Sequence, residues 1–237
     1  MQWNNGIKLI AAALSAAVLA PALAQDAPVR IGYAIARTGP GGFAAQVTQE
    51  PNYIMWADQV NAAGGLNVKG KKRKVELMGF DDRTDAETTV RTYEKLMASD
   101  KVDLILPPWG TAMNFAVAPI ANKYGYPMIG PTVSSNKLKE LSFPYFYAIL
   151  QQPDACMGAF TGFLKDLKAQ GKASKVGVAY VNDLFGIEMH SSLTATLKDT
   201  GLEIVDTKSY PLGVKDLSPV LKGFKSAGVD VFLGAVG

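Results

Sequence analysis

The chain has 237 residues, 48% of them hydrophobic, and its 24 basic and 21 acidic residues give a formal net charge of +3 at pH 7. This near-neutral balance argues against a polyanionic partner such as a nucleic acid. A single cysteine, Cys156, and a single histidine, His190, exclude an internal disulfide framework and a zinc site of Cys and His ligands. The length is sufficient for more than one hydrophobic core.

The N-terminus has the form of an export signal. Lys8 precedes the apolar run 9–20, and Ala22-Leu23-Ala24 resembles a signal-peptidase site. The apolar run is shorter than the ~20 residues that a membrane-spanning helix needs. We therefore predict that residues 1–24 are a cleaved signal peptide and that the mature protein is periplasmic.

From there on, apolar strands alternate with amphipathic helices, a pattern that predicts an α/β fold with mainly parallel sheets. The first strand is followed by a Gly-rich turn and one helix that runs to residue 63, and a Thr84–Glu87 capping box opens the next helix. Asp154 is expected to cap a later helix. The predicted strands are 30–36, 74–80, 102–106, 127–129, 175–181, 203–210 and 229–235.

The order of elements restarts after an extended crossover at 145–150. This restart predicts two similarly built lobes, 25–148 and 149–237. Because the chain stops directly after a strand, we expect the second lobe to be incomplete and the sequence to be truncated.

Two strand ends carry small polar residues. Trp109, Gly110 and Thr111 follow one strand, and Thr132 and Ser134 follow the next. In an open α/β sheet, ligands bind at the carboxyl ends of the strands. Hydroxyls and free backbone N–H groups at this edge suit an anionic head group such as a carboxylate. The alternative is structural: Ser and Thr often cap helices or close turns, and Trp109 could pack in the core.

Enzymatic alternatives find little support. The sequence contains no G-x-S-x-G nucleophile elbow and no G-x-x-x-x-G-K-[ST] phosphate loop. His190 lies on a predicted helix without an acidic residue three or four positions later. We therefore predict a non-enzymatic binding protein without a cofactor or metal.

A set of short stretches occurs in a fixed order along the chain. They include Thr38-Gly39-Pro40, Asn61-Ala62-Ala63-Gly64-Gly65, Phe80-Asp81-Asp82, Leu106 to Thr111, Tyr126 to Pro131, Gln152-Pro153-Asp154 and Asp183-Leu184-Phe185-Gly186. This ordered set resembles the Leu/Ile/Val-binding type of periplasmic substrate-binding protein, the receptors of ABC importers. The resemblance covers nearly the whole mature chain.

This resemblance implies the two-lobed type I periplasmic-binding fold. It also implies carboxylate contacts at Thr111, Thr132 and Ser134, and aromatic contacts from Phe43 in the first lobe and Phe185 in the second. The expected ligand is an amino acid or a related organic acid or amide, and the expected partner of a monomeric receptor is an inner-membrane ABC permease. A ligand-sensing module for a signalling receptor, and less favourably a periplasmic enzyme, remain alternatives.

Overall fold

The structure, a computed structural model, describes residues 27–198 and 200–235, so the predicted signal peptide lies outside the described residues. The predicted alternation of strands and helices is confirmed. The helices are α1 (Gly42–Thr48), α2 (Glu50–Ala62), α3 (Ala86–Glu94, continued by a π turn at Lys95–Ser99), α4 (Thr111–Tyr124), a 3₁₀ turn (Asn136–Glu140), α5 (Pro153–Ala169), α6 (Leu184–Thr196) and α7 (Ser218–Ser226). The strands are β1 (Val29–Ile35), β2 (Leu66–Val68), β3 (Lys71–Arg73), β4 (Val75–Asp81), β5 (Leu104–Ile105), β6 (Met128–Gly130), β7 (Phe146–Ala148), β8 (Lys175–Val181), β9 (Glu203–Tyr210) and β10 (Val231–Ala235).

The first half of the chain forms a parallel sheet in the order β4-β1-β5. Strand β1 reads Val-Arg-Ile-Gly-Tyr-Ala-Ile and is buried along almost its whole length, as expected for a central parallel strand that is covered on both faces. Strands β6 and β7 form a separate parallel pair, with Met128 opposite Phe146.

The second half forms another parallel sheet, in the order β10-β8-β9. It has its own buried cluster, which includes Leu164, Val176, Val178 and Leu193. Two parallel sheets flanked by helices, each with its own core, confirm the predicted α/β fold class.

The helix predicted to run up to residue 63 is broken. It divides into α1 and α2 at Gln49, whose backbone has φ −124° and ψ −56°. Pro51 explains the break, because it has no N–H to donate and its ring would clash with the carbonyl of Val47 in a continuous helix. The break turns Gln49 inward, where only 3% of its surface is exposed.

The two predicted caps are wrong. Asp85, not Thr84, caps α3 by accepting a hydrogen bond from the Thr88 N–H. Thr84 has a positive φ, and its hydroxyl instead accepts a hydrogen bond from the Gly41 N–H. Gln152 is the cap residue of α5, and Asp154 lies in its first turn. Thr84 and Asp154 instead contact residues far away in the sequence, and the local sequence pattern does not predict such contacts.

The chain before β4 forms a hairpin that was not predicted from the sequence. Strands β2 and β3 pair antiparallel across Lys69 and Gly70. Both residues have positive φ angles, 52° and 85°, as a two-residue type I′ turn requires.

Candidate functional site

The two strand ends singled out in the sequence lie side by side. The Gly110 N–H donates to the Thr132 hydroxyl at 2.9 Å, and the Ser134 N–H donates to the Thr111 hydroxyl at 3.2 Å. These bonds join the loop before α4 to the loop after β6. The structure therefore brings Gly110, Thr111, Thr132 and Ser134 together.

The hydroxyl protons at this junction are directed at protein acceptors. Ser134 donates to the Gln151 carbonyl at 2.8 Å, and Thr132 donates to the Gln49 side-chain oxygen at 3.1 Å. The Thr111 hydroxyl lies 3.4 Å from the Ser134 carbonyl oxygen, and Thr111 and Ser134 are only 3% and 1% exposed. These side chains hold the two loops in place. Because their hydroxyl protons are already used, they would act towards a ligand mainly as hydrogen-bond acceptors.

Backbone N–H groups at the start of α4 are the donors that remain. Asn114 makes the first intrahelical bond, to the Gly110 carbonyl at 3.2 Å, which leaves the N–H groups of residues 111–113 at the helix end. Gly110 has φ +88°, a conformation that favours glycine and directs the chain from the strand end into the helix. A helix N-terminus of this kind attracts anions.

Gln49 supports both loops and was not among the site residues predicted from the sequence. Its amide nitrogen lies 3.0 Å from the Pro107 carbonyl and 3.2 Å from the Pro108 carbonyl, and its oxygen accepts the Thr132 hydroxyl bond. A buried glutamine is an informative feature, but the continuous helix that the sequence predicted gave no reason to place Gln49 inside. Pro51, two residues later, was the available signal.

The three aromatic candidates occupy different surroundings. Trp109 packs against the buried cluster of Tyr33, Ile35 and Ala45, as the core alternative expected. Its ring also lies against the first βα loop, since a Cβ atom on Gly41 would sit 3.0 Å from it. Phe185 is half-buried in the second lobe beside Val181 and Tyr210.

Phe43 is 80% exposed and borders a cavity of about 460 Å³ between the two halves of the chain. Its first-lobe wall is formed by Pro40, Phe43 and Ala44. Its second-lobe wall is formed by Val181, Tyr210, Leu212, Val214, Lys215 and Leu217. Of the seven predicted site residues, only Phe43 lines this cavity, and the second-lobe wall was not anticipated.

The two halves approach closely at the cavity. Gly213 has φ +81°, and a Cβ atom built on it would lie 2.9 Å from the Pro40 carbonyl oxygen. This contact leaves no room for a side chain on the loop after β9. The cavity therefore lies beside a direct contact between the two halves.

A second hollow, of about 490 Å³, lies on the surface of α1 and α2. It is lined by residues 46–59 only and includes Ile54, Met55 and Asp58. Because it receives no residue from a strand end or from the second lobe, we do not regard it as the site.

Two adjacent aspartates at the end of β4 have opposite environments. Asp81 accepts bonds from the Arg37 N–H at 2.9 Å and the Thr38 hydroxyl at 2.6 Å and so fastens the first βα loop. Burial raises the pKa of Asp81, but the hydrogen bonds outweigh it and hold the value at about 2. Burial raises the pKa of Asp82 to about 6. The pair serves the structure of the loops, since Asp82 also accepts a hydrogen bond from the Thr84 N–H at 2.8 Å.

The two parallel sheets, each flanked by helices, define the class of fold, a two-lobed α/β protein. The profile of the family described as "Periplasmic binding protein" matches residues 28–237. The chain belongs to this family, which is one of periplasmic substrate-binding proteins and not of enzymes. Among the described residues, no helix combines the length and the apolar character that crossing a membrane requires.

Relatives of the Leu/Ile/Val-binding type support the same assignment. The chain is 23% identical over 231 residues to the leucine-, isoleucine-, valine-, threonine-, and alanine-binding protein of Pseudomonas aeruginosa, covering 96% of this chain and 58% of that protein. The chain therefore spans little more than half the length of such relatives.

Solved structures show the same fold. LivJ of Streptococcus pneumoniae, in complex with isoleucine, superposes with a TM-score of 0.70 at 21% identity, over 87% of this chain and 56% of that one. A solute-binding protein of an ABC transporter from Rhodopseudomonas palustris BisB5, in complex with 3,4-dihydroxybenzoic acid, has a TM-score of 0.72 at 23% identity, over 89% and 55% of the two chains. Their titled ligands are an amino acid and an aromatic acid.

Proposed function

We propose that the protein is a periplasmic receptor that binds a small carboxylate-bearing molecule and delivers it to an ABC importer. The observation that carries the proposal is the cavity between Phe43 of the first lobe and the loop after β9 of the second. A cavity shared by two separately built sheets, at the carboxyl ends of their strands, is suited to a ligand that both halves enclose.

The carboxylate would lie at the N-terminus of α4. The N–H groups of residues 111–113 point along the helix end, and the bonds between Gly110, Thr111, Thr132 and Ser134 hold that end rigid. Preorganised backbone donors bind an anion without the cost of ordering side chains. In this proposal the four predicted residues form the cradle, and Thr111, Thr132 and Ser134 act mainly by fixing its shape.

Phe43 and Trp109 would surround the apolar part of the ligand from the first lobe. The exposed ring of Phe43 has no packing role that explains its position, and a bound ligand would cover it. Phe185 would act indirectly, because it supports Val181 and Tyr210 at the opposite wall.

Transport would follow from closure of the two lobes. We place the lobe boundary at residues 148 and 149. A ligand that contacts both walls binds the closed form more tightly and shifts the population towards it. A permease that recognises surfaces of both lobes would then distinguish the loaded receptor from the empty one.

The test is calorimetric titration of the purified protein with matched pairs of acid and amide: leucine with leucinamide, and benzoate with benzamide. We expect saturable binding of at least one acid and a loss of at least about tenfold for its amide, since a charge-assisted hydrogen bond contributes about 1.5–3 kcal/mol. Equal affinity for acid and amide would contradict a carboxylate site.

Phe43→Ala should weaken binding of the same acid by about tenfold, because the apolar contact area is lost. Phe163→Ala is the matched control, since Phe163 is also an exposed phenylalanine, 55% accessible, but lies on α5 away from the cavity. Equal effects of the two substitutions would remove Phe43 from the site.

A further inference from the structure

Two tight turns meet where the halves of the chain touch. Gly213, on the loop after β9, lies so close to the first βα loop that a Cβ atom on it would sit 2.9 Å from the Pro40 carbonyl oxygen, 3.1 Å from the Pro40 Cα atom and 3.3 Å from the Pro40 Cβ atom. These atoms belong to the backbone and to the base of a proline ring, so they cannot rotate aside as the end of a flexible side chain can. A side chain at Gly213 would therefore require the two turns to move apart.

The turn in the first half is fixed both internally and by its surroundings. Pro40 occupies the second position of a turn in which the Gly42 N–H donates to the Gly39 carbonyl at 3.1 Å, and proline presets the φ angle of that position. The Gly41 N–H donates to the Thr84 hydroxyl at 2.9 Å. Pro40 therefore presents a rigid surface to the second half.

The turn in the second half is equally tight. The Val214 N–H donates to the Pro211 carbonyl at 3.2 Å, and Gly213 is the third residue of this turn, with φ +81°. A type II turn requires a positive φ at that position, which favours glycine but also admits asparagine. The turn alone thus does not demand the absence of a side chain, whereas the contact with Pro40 does.

The same two turns carry the walls of the cavity. Pro40 and Phe43 belong to the wall from the first half, and Gly213 lies between Leu212 and Val214 in the wall from the second half. Leu212 is anchored, because it packs against a buried cluster of the second half. Since both walls are fixed to turns that touch each other, the distance between the walls follows from this contact.

We infer that the contact between Gly213 and Pro40 is a spacer that sets the distance between the two walls, and that Gly213 thereby determines the size of the acid that both walls can touch. Atoms in good van der Waals contact lie about 3.5–4.0 Å apart, so a methyl group at Gly213 would separate the turns by about 0.5–1 Å. A gap of that width forfeits about a quarter to a half of the dispersion attraction between a ligand and a wall. This inference rests on the proposed receptor for a small acid and adds the residue that limits the size of its ligand.

The first experiment tests the contact without a ligand. Pro40→Cys and Gly213→Cys are combined in a Cys156→Ser background, oxidised with copper phenanthroline and analysed by mass spectrometry for the loss of the thiol hydrogens. We expect a disulfide, because the two Cβ positions are 3.3 Å apart and disulfides join Cβ atoms about 3.5–4.5 Å apart. Gly171→Cys combined with Pro40→Cys is the control that should not crosslink, since open space surrounds the Cβ position at Gly171. Absence of the disulfide in the Gly213 pair would overturn the inference.

The second experiment measures size selection by calorimetric titration of the purified protein with two pairs of acids, leucine with phenylalanine and benzoate with 2-naphthoate. Gly213→Ala should shift the ratio of affinities within a pair towards the larger acid by at least about fivefold. The smaller acid no longer touches both walls of the widened cavity, whereas the larger acid still does.

Gly171→Ala separates the spacer effect from backbone strain. Gly171 has φ +70°, so both substitutions place alanine at a positive φ, but only Gly213→Ala meets Pro40. Both variants should unfold at a similar temperature, below that of the wild type, with the ratio of affinities changed in Gly213→Ala alone. An unchanged ratio in Gly213→Ala would overturn the inference and leave the carboxylate receptor standing, whereas no binding of any of the acids to the wild type would overturn both proposals.

Discussion

The Glu188 carboxylate on α6 accepts a hydrogen bond from the Ser135 hydroxyl at 2.7 Å, and its other oxygen accepts the Asn136 N–H at 2.6 Å. Ser135 directly follows Ser134 in the loop of the candidate site. Asn136 is also bound to Asp154 at 2.7 Å, through its side-chain amide. Residues of α5 and α6 therefore hold the loop that contributes Ser134 to the proposed anion cradle.

We expect Glu188→Ala to lower the free energy of unfolding by about 2 kcal/mol, because two hydrogen bonds to a charged acceptor are lost and their donors are left behind. Glu188→Gln, which keeps one acceptor oxygen, should lose about half as much. Denaturant unfolding measures both. Glu140→Ala, at an exposed glutamate of the neighbouring 3₁₀ turn, is the control, and a loss equal to that of Glu188→Ala would refute a specific role for the Glu188 contacts.

Gln49→Met should reduce stability by about 1–3 kcal/mol, because the buried carbonyls of Pro107 and Pro108 lose a donor. It should also weaken ligand binding, since the loop before α4 keeps only its bonds with Tyr53, Asn114 and Thr132. Gln59→Met, at an exposed position of α2, is the matched control in urea unfolding and titration. If Gln49→Met unfolds at the same urea concentration as the wild type, the bridging role is wrong.

Thr111→Val preserves the size of the side chain but removes the acceptor of the Ser134 N–H. Because both residues are buried, we expect a loss of about 1–3 kcal/mol in unfolding free energy. Thr194→Val is the comparison, since that exposed hydroxyl donates only to the His190 carbonyl within its own helix. Similar small effects at both positions would show that the junction contributes little.

Asp81 and Asp82, at the end of β4, should change the stability of the protein with pH in opposite directions. Burial raises the pKa of Asp82 from 3.8 to about 6, so ionisation is harder in the folded state than in the unfolded state. Stability should therefore fall as the pH rises from about 4 to about 6 and stay at its lower value above that range. Asp82→Asn should raise the unfolding temperature relative to wild type above pH 6, and this gain should vanish near pH 4.

Asp81→Asn is the opposite case. Burial alone would raise the pKa of Asp81, but its hydrogen bonds lower the value from 3.8 to about 2. The ionised carboxylate therefore stabilises the folded state above pH 3.8, and this stabilisation is lost as the pH falls towards 2. The substitution should therefore destabilise the protein at neutral pH and matter less in acid. Thermal unfolding between pH 2.5 and pH 8 checks both, and parallel curves for the two variants would contradict these assignments.

Local pattern was sufficient to predict most strands and helices of this protein. Strands β8 and β9 occur where they were predicted, because short runs rich in β-branched and aromatic residues, alternating along the chain with helical segments, are typical of parallel strands. The cap of α6 by Asp183 is an equally local feature, since the side chain and its partner at Gly186 are three residues apart. Features of this kind depend on neighbours along the chain.

The sequence by itself determined the α/β alternation, the restart into a second sheet and the meeting of the loops that contain Thr111 and Ser134, because parallel strands bring their carboxyl ends to one edge. Only the tertiary structure decided where the hydroxyl protons go, that Gln49 turns inward, and that Tyr210 and Lys215 face Phe43 across a cavity. Tyr210 and Phe43 are far apart in sequence and belong to separate sheets. Their proximity depends on how the two lobes pack against each other, and no periodicity along a single strand or helix carries that information.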